Sequence, residues 1–116
     1  MEMEQYFDMN VINSLKNIGG GDNSFLLEIF ELYMKQAPDL LQEIKVNASN
    51  NDADKMSKTA HTLKGASLNI GASKFAEICS KIEIAGKENN MINISGLIKD
   101  MEYNFSKVKE IIDNYK

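Results

Sequence analysis

Thr59-Ala60-His61-Thr62-Leu63-Lys64-Gly65-Ala66-Ser67-Leu68-Asn69-Ile70-Gly71-Ala72 is the stretch from which the rest of the chain can be placed. Stepping about 100° per residue along a helix gathers Met56, Ala60, Leu63, Ser67 and Ile70 on one side, and that side is a core stripe. His61, the one histidine in the protein, falls away from it, on the side of Gly65 and Ala72 with Ser57, Lys58, Lys64 and Leu68 as flanks. The pattern therefore predicts a helix that buries one face and presents an imidazole to solvent on the other.

Gly65 lies one turn after His61 on the same face, where glycine costs about 1 kcal/mol of helix propensity relative to alanine. A missing side chain there uncovers the ring and lets another surface come close to the helix backbone. Lys64 sits beside the ring, where an ammonium can meet phosphoryl oxygens as a point charge. This set suits a phosphate-accepting nucleophile better than a metal ligand.

His61-Thr62-Leu63-Lys64-Gly65-Ala66-Ser67, then Asn69-Ile70-Gly71-Ala72, then Cys79 to Glu83 on the following helix, together resemble the histidine-containing phosphotransfer (HPt) domains. These carry a phosphoryl group between receiver domains in multistep two-component signalling. The resemblance extends more weakly through Phe30 to Leu41 and the final amphipathic stretch. It implies that His61 takes a phosphoryl group from a phospho-aspartate of a receiver domain and passes it to another receiver. The partners would be response regulators, a hybrid histidine kinase, or both. The chain would be a covalent phosphocarrier rather than a standalone enzyme, with Mg²⁺, the metal-binding carboxylates and the catalytic lysine supplied by the receiver and no cofactor bound here.

Such an attack needs one ring nitrogen free and the other protonated, and a carboxylate accepting from Nδ1–H would fix that tautomer. Glu83 is the candidate, in a place where the family commonly has glutamine. The carboxylate does the same accepting job but adds a charge that opposes phosphate, which Lys64 and Lys87 can offset. Docking is assigned to a shallow patch of Gly65, Leu68 and Ala72, with Ser57 keeping it low and Lys58, Lys64 and Lys87 as its rim.

The 116 residues allow one domain over 1–116 with one core, and the apolar share of 43 % suffices to build it. A net charge of −4 argues against a general nucleic-acid binder. Cys79 is the single cysteine, so no internal disulfide can form; Phe75, Ile78 and Ile82 place its thiol on an apolar face. Neither a secretory apolar segment nor a run long enough to span a membrane is visible. A soluble cytoplasmic monomer is the expectation.

Apolar spacing predicts helices over Tyr6 to Ile18, Asn23 to Asn47, Asp52 to Ile70, Ser73 to Lys87 and Ile94 to Tyr115. Gly19-Gly20-Gly21 is followed by Asp22-Asn23-Ser24 and lacks the Lys-Ser/Thr of a phosphate-binding loop, so it reads as a stop, a turn and a new cap. The stripe of the second helix keeps its phase across Pro38, which predicts a kink rather than a break. Asn51 is the expected cap of the His61 helix, Gly71 its left-handed terminator, and Gly86 either admits a neighbouring helix or ends its own. The result is an all-α protein: an antiparallel up-down-up-down four-helix bundle with a short additional N-terminal helix.

Other chemistries fare worse. One His and one Cys cannot complete a tetrahedral zinc site, and no second histidine exists to activate a serine. The alternative of another class is a helical module that docks on a receiver or kinase without accepting phosphate.

Overall fold

The computed structural model describes residues 2–115. Six helices follow one another: α1 (Glu2–Tyr6), α2 (Met9–Ile18), α3 (Ser24–Ser49), α4 (Ala53–Asn69), α5 (Ser73–Lys87) and α6 (Ile94–Tyr115). The long helices α3 to α6 form the expected bundle. α4 packs between α3 and α5, and α6 closes against α5 and α3. Short turns reverse the chain between them, giving a body of 45 × 23 × 20 Å.

The stripe on α4 is buried as the spacing predicts, with Met56, Ala60, Leu63 and Ser67 fully covered and Ile70 nearly so. A serine in that row is accommodated because Ser67 Oγ donates to the Leu63 carbonyl at 2.7 Å. Its oxygen then accepts from Tyr33 Oη at 2.8 Å, so both buried polar groups are satisfied. Around them Phe75 and Phe105 meet at 5.4 Å between ring centroids, and Phe7 and Tyr115 both approach Phe30 edge-on. Each such buried ring contributes roughly 1.5–3 kcal/mol by transfer from water.

α3 runs unbroken through Pro38. Phe30, Tyr33, Ala37 and Ile44 remain on its inner face while Pro38 stands on the exposed side, where water can replace the lost donor. Leu32, although apolar, lies off that inner face and is 56 % exposed.

The N-terminal region differs from expectation. The single helix from Tyr6 to Ile18 is two, because Asp8 is extended (φ −78°, ψ 108°) and its carboxylate accepts from Asn10 N to start α2. Asp8 N donates to the Gly71 carbonyl at 2.7 Å, which ties this break to the turn between α4 and α5. The cap of α4 also differs. Asp52, not Asn51, accepts from Lys55 N at 3.1 Å, while Asn51 takes a left-handed conformation (φ 54°) that turns the chain toward it. Gly71 is left-handed as predicted, at φ 80°.

Candidate functional site

α4 and α5 share the most extensive helix contact in the molecule, and the site lies on their common outer edge. The reason they come so close is local: Gly86 has no side chain, and a Cβ there would fall 2.6 Å from the Ala53 carbonyl and 2.8 Å from Ser57 Cβ. Of the two readings of Gly86, close approach is the one observed. Ser57 completes the junction by donating its hydroxyl to the Glu83 carbonyl at 3.0 Å.

On this frame His61 projects from α4 with its side chain 67 % exposed, and Nδ1 lies 3.0 Å from Glu83 Oε2. The Glu83 side chain is buried, 5 % exposed. Lys64 Nζ reaches Oε1 at 2.7 Å and Lys87 Nζ reaches Oε2 at 3.0 Å. The Lys64 ammonium thus compensates the buried Oε1.

Burial works against ionisation of Glu83, yet the contacts of Lys64, Lys87 and His61 outweigh it and hold the carboxyl down at about 2. An ionised carboxylate can only accept, so the hydrogen between it and His61 belongs to Nδ1. In the neutral ring the lone pair is then on Nε2, which has no intramolecular hydrogen bond among the described residues.

His61 opens onto a shallow groove of about 420 Å³ lined by Ser57, Lys58, Thr62, Glu83 and Lys87. Lys58 pairs with Asp54 at 3.0 Å across an exposed surface, a contact of small energetic weight. Gly65 is exposed, and a Cβ there would meet nothing within 4 Å. No internal packing demands this glycine. Leu68, half exposed, stands beyond it on the same face.

One expected member of the patch is elsewhere. Ala72 is fully buried, because the helical spacing that put it beside His61 ends at Asn69 and the left-handed Gly71 redirects the chain. Ser57, 5 % exposed and bonded to α5, lines the floor of the groove and keeps it low as expected. Thr62, a wall of the groove, carried no signal in the sequence to distinguish it from any exposed helical threonine. Among the described residues no three His, Cys, Asp or Glu side chains are grouped to hold a metal ion.

Comparison with known protein families matches residues 28–113 to the Hpt domain. The chain belongs to the Hpt domain family. The match covers α4 and α5 entirely, so His61, Lys64, Glu83 and Lys87 of this Hpt domain all fall inside it, whereas α1 and α2 lie before it. The phosphorelay intermediate protein YPD1 of Candida albicans is 23 % identical over 86 residues, which is 74 % of this chain and 47 % of that protein. This Hpt domain thus spans about half the length of that relative. The crystal structure of histidine-containing phosphotransfer protein B (HptB) from Pseudomonas aeruginosa PAO1 aligns with a TM-score of 0.87 at 23 % identity, covering 95 % of this chain and 93 % of that one. That likeness shows the Hpt fold.

Proposed function

We propose that this Hpt domain is a phosphocarrier in which His61 takes a phosphoryl group from a phospho-aspartate of one receiver domain and gives it to another. The observation that carries the reading is the pairing of an exposed imidazole with a buried, ionised carboxylate on Nδ1, which leaves Nε2 outward and nucleophilic. The Nε2 lone pair attacks phosphorus as the bond from phosphorus to the aspartyl oxygen breaks, and that electron pair leaves with the regenerated carboxylate. Nδ1 keeps its proton. The ring becomes cationic, and Glu83 compensates the new charge as the carboxylate of a catalytic triad does.

Phosphoryl transfer depends on positioning and charge neutralisation. We assign the Mg²⁺ and its carboxylate ligands to the receiver, which makes the chain a modified and regenerated carrier rather than an enzyme acting alone. Gly65 and Leu68 form the approach surface and Lys58, Lys64 and Lys87 its cationic surround. No described helix is long and apolar enough to cross a membrane. We assign the chain to the cytoplasm as a monomeric domain working with response regulators or a hybrid kinase.

The test is incubation with a receiver domain phosphorylated with ³²P. Label should appear on the chain, be acid-labile, and vanish in His61→Gln. A folded chain that binds the receiver without taking label, or label that survives His61→Gln, rejects the phosphocarrier in favour of a docking module.

A further inference from the structure

Glu83 serves three partners with two oxygens, and it serves them unequally. Oε1 is buried and faces Lys64 alone at 2.7 Å. Oε2 is shared, with His61 Nδ1 at 3.0 Å and Lys87 Nζ also at 3.0 Å. The two lysines differ in freedom as well: the Lys64 side chain is 26 % exposed and that of Lys87 is 67 % exposed. They also open onto different spaces. Lys87 lines the groove that contains His61, while Lys64 lines a separate depression of about 290 Å³ with Leu68, Ala76 and Ser80.

Resting on the reading of His61 as phosphoryl acceptor, we propose that Lys87 is the ammonium that follows the phosphoryl group, exchanging Glu83 Oε2 for a phosphoryl oxygen when His61 is modified, while Lys64 stays on Oε1. Lys87 is then the residue that touches the transferred group. Lys64 is a positioning residue that acts through Glu83.

The exchange follows from the charges. Before transfer Nδ1–H is a neutral donor, so Oε2 can hold it and an ammonium together. Formation of the nitrogen–phosphorus bond makes the ring a cation, and two cations on one oxygen repel each other. In the same step a phosphoryl group with three acceptor oxygens and a dianionic charge arrives in the groove that Lys87 already lines. Lys87 is a long, flexible side chain whose departure leaves Oε2 with a stronger partner, the imidazolium. Lys64 has no such exchange open to it. Its departure would strand a buried anionic oxygen without compensation, which is the expensive way to break a buried ion pair. Lys58, also on the groove, is held to Asp54 only across an exposed surface and supplies background charge.

The test uses the whole chain treated with phosphoramidate, a small phosphoryl donor that needs no receiver. ³¹P NMR first establishes phosphohistidine on the parent and its loss in His61→Gln. With side-chain ¹⁵N detection, the Nζ signal of Lys87 should move on phosphorylation while that of Lys64 stays. In Lys87→Gln the titration midpoint of the phosphoryl group, read from its ³¹P shift, should rise by about one pH unit, a tenfold change in proton affinity. Lys87→Arg should restore it. Lys64→Gln should move that midpoint less, but should disturb the ¹⁵N signature of the Nδ1–H tautomer in the unmodified ring, which Lys87→Gln leaves in place. A Lys64 signal that moves while Lys87 stays, or a midpoint that responds more to Lys64→Gln than to Lys87→Gln, overturns the division of roles while leaving His61 as acceptor. A phosphorus signal that is not on His61 overturns both.

Discussion

Gly86 lies against Ser57 so closely that the smallest side chain added there would enter the van der Waals shell of Ser57 Cβ, at 2.8 Å. This contact sets the separation of α4 and α5, and so the reach of Glu83 to His61.

Gly86→Ala should therefore destabilise the fold by about 1–3 kcal/mol, the usual range for overpacking. The neighbours are main chain and a Cβ, neither of which can swing aside. Urea denaturation checks the stability, and the Glu83–His61 hydrogen bond can be followed through the ring ¹⁵N shifts. A variant as stable as the parent would mean that the helices part without cost.

Gly65 should respond in the opposite sense. With nothing within 4 Å of a Cβ, Gly65→Ala should stabilise the protein by up to about 1 kcal/mol through helix propensity. Gly65→Gln should keep the fold and slow phosphoryl transfer from a receiver by about tenfold, a barrier increase of about 1.4 kcal/mol. Stopped-flow transfer kinetics alongside denaturation separates the effects. Unchanged kinetics in Gly65→Gln would remove the glycine from the docking surface.

Glu83 links stability to acid. Its carboxyl titrates at about 2 in the folded chain against an ordinary 4.5. Its ionic contacts therefore contribute in full above the ordinary value. As pH falls below 4.5 the unfolded chain binds a proton that the folded chain does not, and the contribution is gone once pH passes about 2. Glu83→Gln should lower stability near neutral pH by on the order of 1–2 kcal/mol, less than full linkage because Lys87 and His61 are exposed and screened. The gap between variant and parent should close between pH 4.5 and 2. A gap that is constant through that window would assign the loss to packing instead.

Gly71→Ala combines a left-handed backbone at φ 80° with a Cβ placed 3.1 Å from the Asp8 carbonyl and from Val11 Cβ. A loss of about 1–2 kcal/mol is expected from the backbone alone. Because the close contacts are to α2 and its cap, amide exchange should accelerate at Asp8 and along α2 before it does in α4. Equal acceleration throughout would show that α2 is not separately anchored.

The legibility of this chain tracks how local each cause is. The α4 stripe was readable because a helix repeats its own geometry, and Met56 through Ile70 obey it. Extending that repeat three residues past the helix end puts Ala72 on the wrong side, even though Gly71 is legible as left-handed. Asp8 shows the converse: a capping aspartate was present in the sequence but was absorbed into an apolar pattern that continues on both sides of it. Glu83 marks the limit of periodicity. The spacing on its own helix says nothing of its burial, which comes from lysines on two helices and from the close approach that Gly86 permits.

His61 and Glu83 belong to consecutive helices joined by a tight turn, 22 positions apart in sequence. The reacting pair is thus an αα-hairpin property with low contact order, assembled by one short loop closure. Cutting and rejoining the chain in the turn that precedes α6 would change the order in which the bundle closes and leave the two partners on one continuous segment.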